Sequence, residues 1–300
     1  MSLAGPISNP EVAFRNILFA TDLSPGSLLA LPFTSSIARH YHSKVFLIHI
    51  VPPEEYARVQ TAARGTLNRL EAGAEEGLIH ALGNFGDIDY QVVVDHGSIR
   101  SKLLAEAKRF KVDLIVMGTH GRRGIRKLLR GSTAEEIASM ATVPVLTVGP
   151  QVYSAKDFKH ILYETDFSPA SDSAVPVAFS LAQAYDASLL CLHVNDWDSK
   201  ESPVAARPKT HEIFQEQIRR YSSGSLAERC RLQVEFGSRS ERIVAIAATR
   251  QIDLIVLGLR INKGIRARIA AHLPGSTASD VISQVHCPVI TVPGERQTRP

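Results

Sequence analysis

The chain has 300 residues, of which 44% are hydrophobic and 21% charged, and its formal net charge at pH 7 is +4. This composition is typical of globular proteins, and the length suits two domains of about 150 residues. No apolar run approaches the ~20 residues that a membrane-spanning helix needs. The mild positive excess is concentrated in loops, which favours anionic ligands over a broad nucleic-acid surface.

The three cysteines all lie in the second half and cannot form a paired framework: Cys191, Cys230 and Cys287. The first residues, MSLAGPISNPEVAF, contain neither a basic start nor an apolar core, so they do not predict a signal peptide. Both observations favour a reducing compartment, and we expect a cytoplasmic protein.

Apolar strands and amphipathic helices alternate along the first half. The strands are predicted at 16–20, 44–51, 89–94, 112–117 and 143–148, and the helices at 25–41, 54–82, 98–110 and 134–140. Ser24 is typical of an N-cap, with Pro25 at the first helical position. This alternation predicts an α/β unit with a parallel sheet.

The second half repeats the first in the same order. The segment ILYETDFSP at 161–169 matches ILFATDLSP at 17–25, and the later strands of the first half have counterparts at 189–194, 234–236, 252–258 and 287–292. Gly149-Pro150-Gln151 forms a short linker, so we predict domains at 1–150 and 151–300. Pro32 and Pro176 recur inside the first helix of each half, where proline should produce a kink. The segment 197–211 is predicted to be a flexible surface loop.

One segment of the first half combines a buried strand, glycines and a helix start. Residues 112–136 have the sequence VDLIVMGTHGRRGIRKLLRGSTAEE, in which Gly118 ends the strand and Gly131-Ser132-Thr133 precedes a helix. Glycine lets a backbone approach a ligand, and the N-terminus of a helix attracts anions. The arginines and lysine between these points add positive charge, although they could equally form a solvated face. The segment predicts a phosphate-bearing ligand.

Two common phosphate motifs do not fit. The P-loop needs Gly-Lys-Ser/Thr, and the dinucleotide motif needs Gly-x-Gly-x-x-Gly beside the first strand. The spacing Gly-x2-Gly-x9-Gly-Ser instead resembles the ATP-binding motif of the universal stress proteins, with Gly118, Gly121, Gly131 and Ser132 at its fixed positions. With the duplication, the chain resembles a tandem member of that family over nearly its whole length.

The resemblance implies a fold and a set of ligand residues. It implies two doubly wound five-stranded parallel sheets, each in the order 3-2-1-4-5, of the Rossmann-like adenine nucleotide alpha-hydrolase type. Strands 1 and 4 then form a switch point, where ligands bind at the carboxyl ends of strands. ATP or another adenine nucleotide, with Mg²⁺ possible at its phosphates, would contact Ala20, Thr21, Asp22, Ile50, Met117, Gly118, Gly121, Gly131, Ser132 and Thr133. The simpler alternatives are helix capping for Asp22, core packing for Ile50, and a turn with a cap for the glycine segment.

The second half departs from this motif. Ile261 stands where the second glycine belongs, and the stretch before Gly275-Ser276 is longer than its counterpart. We therefore expect one good site in the first half and a weakened or lost one in the second. The residues that could still form the second site are Asp166, Val194, Gly258, Gly275 and Ser276.

Other reactive side chains have simpler explanations. His49 and His193 occupy equivalent strand positions, which favours packing over metal binding, and no His/Cys spacing is typical of zinc. No nucleophile–base pair and no acid–base carboxylate pair can be assigned, so catalysis would amount to slow ATP hydrolysis at most.

Three functions follow from these expectations. The first is a nucleotide-binding stress-response or signalling protein, in which the ligand stabilises one conformation for an unknown protein partner. The second is a slow ATPase, and the third is an interaction scaffold that binds no nucleotide. The resemblance also implies that the last strands of the halves pair as in the family's dimers, which predicts an internal pseudo-dimer and allows a homodimer. Nucleic-acid binding is disfavoured because aromatic residues do not interleave with the basic ones.

Overall fold

The structure is a computed structural model that describes residues 12–60, 66–81, 85–119, 133–152, 157–195, 203–222, 224–259 and 277–294. The chain forms two compact units, one of residues 13–155 and one that includes residues 156–300. The same order of strands and main helices recurs in both units.

The first unit is a doubly wound parallel sheet. Its strands are β1 (Asn16–Ala20), β2 (Lys44–Val51), β3 (Tyr90–His96), β4 (Leu114–Gly118) and β5 (Val145–Val148). Its helices are α1 (Pro25–Leu28), α2 (Leu31–Tyr41), α3 (Pro53–Gln60), α4 (Thr66–Ala81), α5 (Ile99–Arg109) and α6 (Thr133–Met140). Parallel pairing gives the strand order β3-β2-β1-β4-β5, which confirms the expected topology.

The second unit has the same architecture. Its strands are β6 (His160–Glu164), β7 (Ser188–Asn195), β8 (Cys230–Phe236), β9 (Leu254–Leu259) and β10 (Val289–Pro293). Its helices are α7 (Pro169–Asp172), α8 (Val175–Ala184), α9 (Pro203–Tyr221), α10 (Leu226–Arg229), α11 (Arg239–Thr249) and α12 (Thr277–Gln284). The order is β8-β7-β6-β9-β10, again with parallel pairs.

The central strands form the core of each unit. Leu114, Ile115 and Val116 of β4 are fully buried, as are Leu254, Ile255 and Val256 of β9. A parallel sheet covered on both faces requires such continuous apolar runs. The predicted central strands are confirmed for this reason, and their carboxyl ends define one edge of each sheet.

The two recurring prolines begin new helices instead of bending one. The predicted helix at 25–41 is interrupted at Leu29 and Ala30, and Pro32 lies in the first turn of α2. Pro176 has the same place in α8. Proline fits the first turn of a helix because N–H groups there have no acceptor within the helix, so the absence of an N–H costs no hydrogen bond. The prediction of a kinked continuous helix was therefore wrong.

The segment predicted as a flexible loop at 197–211 is helical from Pro203 onward. Helix α9 spans Pro203–Tyr221 with Pro208 inside it. Farther along the helix, Phe214 is 2% exposed, and the polar residues Thr210 and Gln217 are also buried. Burial of this face against the unit outweighs the local preference against a proline in a helix.

Candidate functional site

Strand register in the first unit places three of the predicted ligand residues on one face of the sheet. Ala20 pairs with Met117 of β4 and with Ile48 of β2, and Ile50 follows Ile48 by two residues. Paired residues of a parallel sheet point to the same side, and so do residues two apart in a strand. Ala20, Ile50 and Met117 therefore line one apolar surface at the carboxyl ends of β1, β2 and β4. We call this surface, together with Asp22 two residues after β1 and Ile99 at the start of α5, the first cleft.

Asp22 lies in the tight turn that joins β1 to α1. The N–H of Ser24 donates to Asp22 Oδ1 over 3.0 Å, and the N–H of Leu23 donates to Thr21 Oγ1 over 3.0 Å. Leu23 has a φ of 63°, in the left-handed region. Ser24 is the N-cap of α1 and accepts from Ser27 N over 3.2 Å, as the sequence predicted. Asp22 thus shapes the turn with one carboxylate oxygen, and Ser24 rather than Asp22 caps the helix.

Thr21 faces α1 and not the first cleft. Its hydroxyl lies 2.7 Å from Ser27 Oγ, its N–H donates to Ile48 O over 3.1 Å, and its carbonyl accepts from His49 Nδ1 over 2.9 Å. Because a carbonyl cannot donate, Nδ1 carries the proton. The imidazole of His49 therefore ties β2 to the turn that holds Asp22. His193 makes the same contact with Thr165 O over 2.8 Å, which gives both histidines the structural place that their equivalence predicted.

Gly118 is required by packing within the protein. A Cβ atom on Gly118 would lie 2.6 Å from Gly26 O and 2.8 Å from Ser27 Cα. Those are backbone atoms of α1, so they could not turn away as the end of a side chain could. The glycine that the motif associates with a ligand also lets α1 rest on the end of β4.

The predicted phosphate segment is described only at its two ends. Gly121, Gly131 and Ser132 lie outside the described residues, whereas Thr133 is the first residue of α6. Glu135 and Glu136 occupy the first turn of this helix, where the helix dipole favours negative charge. Arg100 of α5 lies 3.2 Å from Glu136 through Nη1 and Oε1, so this end of α6 also faces a cation.

The second unit repeats the turn but not the chemistry of the cleft. Asp166 Oδ1 accepts from Ser168 N over 3.0 Å and from Ser171 Oγ over 2.9 Å, and Phe167 has a φ of 54°. Val194 takes the place of Ile50 and is buried. A Cβ atom on Gly258 would lie 2.2 Å from Ala170 O, so Gly258 has the packing task of Gly118. Gly275 and Ser276 lie outside the described residues.

An ion-pair cluster distinguishes the second cleft, which consists of Glu164, Asp166, Val194, Leu257 and Arg239. Glu164 stands at the position of Ala20, and its partners across the sheet are Leu192 and Leu257. Arg239 begins α11 at the position where Ile99 begins α5. Arg239 Nε lies 3.2 Å from Glu164 Oε1, and Arg239 Nη1 lies 3.5 Å from Asp166 Oδ2. One guanidinium therefore bridges both carboxylates.

The two carboxylates of this cluster differ in proton affinity. Burial raises the pKa of Glu164 to about 7, although Arg239 acts against it. Burial alone would also raise the pKa of Asp166, but hydrogen bonds from Ser168 and Ser171 and the charge of Arg239 outweigh it. The pKa of Asp166 therefore lies below its usual range, and Asp166 carries the negative charge at neutral pH. Arg239 has a charged partner in Asp166 whether or not Glu164 is ionised.

Glu164 and Arg239 were missed because neither position belongs to the glycine motif by which the two halves were compared. The signal was in the repeat itself, where Gly237-Ser238-Arg239 aligns with Gly97-Ser98-Ile99. A third exchange puts Asn195 at the position of Val51. His193 Nε2 lies 3.1 Å from Asn195 Oδ1, and the opposite orientation of this amide would let its N–H donate to that ring nitrogen. Asn195 follows Val194 directly and so points to the other face of the sheet, and the greater polarity of the second cleft comes from Glu164 and Arg239.

The described residues contain no group of three or more His, Cys, Asp or Glu side chains arranged to hold a metal ion. None of the described helices combines the length and the apolarity that crossing a bilayer demands. The three cysteines are buried and form no disulfide. Burial raises the pKa of the Cys230 thiol to about 11, so the thiolate form is disfavoured there at neutral pH.

Fold and strand-end clefts together define a tandem protein of two doubly wound α/β modules. A model of the Universal stress protein family matches residues 13–149 and, a second time, residues 157–293. The two matches cover most of the chain, and the chain therefore belongs to the universal stress protein family.

Individual relatives agree with this assignment. A universal stress protein of Methanocaldococcus jannaschii is 28% identical over 146 residues, which are 47% of this chain and 86% of the relative. Universal stress protein A of Escherichia coli is 31% identical over 114 residues, which are 36% of this chain and 78% of the relative. The crystal structure of a universal stress protein from Archaeoglobus fulgidus superposes with a TM-score of 0.70 at 20% identity, over 93% of this chain and 96% of that one, and so shares its fold.

Proposed function

We propose that the chain binds one adenine nucleotide, ATP in the first instance, in the first cleft and acts as a ligand-dependent switch in stress response or signalling. The observation that carries this proposal is the position of Asp22 beside the apolar surface of Ala20 and Met117, at the switch point between β1 and β4. A doubly wound sheet binds its ligands at that point. The glycine spacing of the following segment, which resembles the family's ATP-binding motif, supports the same ligand.

The residues of the first cleft suit an adenosine group. Ala20, Ile50 and Met117 are each 5% exposed. They offer a small side chain and two larger apolar ones against which a purine could pack. Asp22 supplies a carboxylate that can accept from an exocyclic amine or a ribose hydroxyl. Thr133, at the start of α6, would contact phosphate oxygens, because N–H groups at a helix N-terminus attract anions. Mg²⁺ bound with the nucleotide would neutralise phosphate charge.

As a switch, the nucleotide would stabilise whichever conformation of the unit binds it more tightly, and a partner protein would respond to that conformation. The β1–α1 turn is the natural relay, because Asp22 would contact the ligand while Thr21 and Ser27 hold α1. A cytoplasmic location and the pseudo-dimer stay predictions of the same proposal.

Titration calorimetry of ATP into the full chain, with replacement of Asp22 by Asn, tests the proposal. Asparagine keeps an oxygen for Ser24 N–H and so preserves the turn, but it removes the charge. A lost charge-assisted hydrogen bond costs about 1.5–3 kcal/mol, so Kd should rise about tenfold to a hundredfold. Asp113→Asn is the matched control, because Asp113 accepts from Asn16 N over 2.9 Å at the opposite edge of the sheet. Wild-type protein free of bound nucleotide that gives no heat of binding with ATP would refute the proposal.

A further inference from the structure

Arg239 is the residue that most changes the second cleft. Its position in the first unit belongs to Ile99, which has no polar atom in its side chain, whereas its guanidinium reaches both Glu164 and Asp166. The side chain of Arg239 is 30% exposed, that of Glu164 8% and that of Asp166 18%. Glu164 is thus buried, Asp166 and Arg239 are partly buried, and the three side chains are not mobile surface charges.

The cluster uses the groups that a nucleotide would need. Asp166 Oδ1 accepts from Ser168 and Ser171, and its Oδ2 faces Arg239. In the first unit, the position of Arg239 at the helix start belongs to the apolar Ile99. Glu164 adds a carboxyethyl group on the face where Ala20 has only a methyl group. A purine entering the second cleft would have to displace Arg239 and leave Glu164 buried beside it.

We infer that Glu164 and Arg239 determine the selectivity of the second cleft, because their ion pair with Asp166 occupies the place of an adenine nucleotide and keeps it out. The chain then binds one nucleotide, in the first unit, and its second unit stays free of nucleotide. This inference rests on the proposed function. It also explains an asymmetry that glycine spacing alone leaves open, since loops of altered length can still close over phosphate.

The decisive experiment counts ATP sites in the full chain after the first cleft's residues are transplanted into the second. Glu164→Ala with Arg239→Ile converts both positions to their counterparts, Ala20 and Ile99. Calorimetry should find one site per chain in the wild type and two in this variant. The matched control, Glu216→Ala with Arg219→Ile, removes an ion pair of 2.6 Å whose side chains are both 65% exposed, and it should keep one site.

The results separate this inference from the proposed function. One site in both the wild type and the Glu164→Ala/Arg239→Ile variant overturns the inference alone. Two sites in the wild type overturn the inference and the count of one nucleotide per chain, but not nucleotide binding in the first cleft. No site in either protein overturns the proposed function, and the inference falls with it. A second measurement, hydrogen exchange of the wild-type chain, tests the inference even if the variant does not fold. Saturating ATP should slow exchange in residues 20–28 and leave residues 164–172 unchanged, and equal protection of both segments overturns the inference.

Discussion

The two clefts have the same backbone turn but different charged side chains. Each begins with a Thr-Asp turn, a serine N-cap and a histidine that holds the turn to the neighbouring strand. Three apolar side chains of the first unit have polar counterparts in the second, because Ala20, Val51 and Ile99 correspond to Glu164, Asn195 and Arg239. The first cleft therefore presents an apolar surface beside one carboxylate, whereas the second encloses its own cation. The two units thus share the turn, the cap and the histidine contact, and the side chains that differ between them change which ligand each cleft can bind.

The largest effect should come from the glycines that both units share. Alanine at Gly118 would place its Cβ 2.6 Å from Gly26 O, and alanine at Gly258 would place it 2.2 Å from Ala170 O. Overpacking of this kind costs about 1–3 kcal/mol and at times more. We expect each variant to destabilise its own unit, with Gly258→Ala the more severe. Thermal unfolding of the full chain, with hydrogen exchange to locate the affected unit, measures this.

Gly73→Ala is the control for this pair, because a Cβ there would meet nothing within 4 Å on the exposed side of α4. It should be neutral or stabilising by about 0.5–1 kcal/mol, since alanine favours a helix over glycine. A Gly118→Ala protein that unfolds like the wild type but no longer binds ATP would contradict the packing role and leave only a ligand role.

Much of this comparison could be predicted from sequence where local signals are strong. The buried strands follow from apolar runs, the start of α1 follows from Ser24-Pro25, and the strand order follows from the family resemblance. The break at Leu29 and Ala30 was missed because a proline at a helix start and one inside a helix have the same local sequence. Helix α9 was missed because burial of Phe214 is a tertiary effect.

The ion-pair cluster could not be predicted from any local pattern. Arg239 and Asp166 are separated by 73 residues, and only the crossover from β8 into α11 brings the guanidinium over the end of β6. The differences were visible once the halves were aligned residue by residue, but their meaning needed the register that places Ala20 and Glu164 on the cleft face.

A pH titration sharpens the contrast between Ala20 and Glu164. Burial raises the pKa of Glu164 from 4.5 to about 7 in the folded chain. A carboxyl group whose pKa is higher in the folded than in the unfolded chain adds to the free energy of unfolding at a pH below its unfolded pKa. For Glu164 this contribution disappears as the pH rises through about 7. Glu164→Gln cannot ionise, so its stability relative to the wild type should increase from pH 5 to pH 8. The increase is limited to roughly 3 kcal/mol, at about 1.4 kcal/mol per pH unit.

Urea unfolding of the wild type and of Glu164→Gln at pH 5 and pH 8 gives the difference in their free energies of unfolding. Groups that titrate in both proteins cancel in this difference. Asp166 contributes with the opposite sign, because its lowered pKa stabilises the fold above its ordinary value of 3.8, but it is present in both proteins. Glu241→Gln, at an exposed position in α11, serves as the control. A Glu164→Gln difference that stays constant between pH 5 and pH 8 would show that Glu164 is ionised throughout.

The smallest expected effect is the difference in stability lost when the serine cap of α1 or that of α7 is removed. Ser24 Oγ accepts from Ser27 N over 3.2 Å, and Ser168 Oγ accepts from Ser171 N over 3.4 Å. Loss of a serine cap costs about 1 kcal/mol, which we expect for Ser24→Ala in the opening of α1. Ser168→Ala should cost roughly half as much, because the longer bond is weaker and because Asp166 also holds Ser171 Oγ over 2.9 Å. Hydrogen exchange in α1 and α7 of the full chain measures the local unfolding of both helices.

A larger loss of stability in α7 than in α1 would mean that Asp166, paired with Arg239, does not support its turn. The second cleft would then be less rigid than the first.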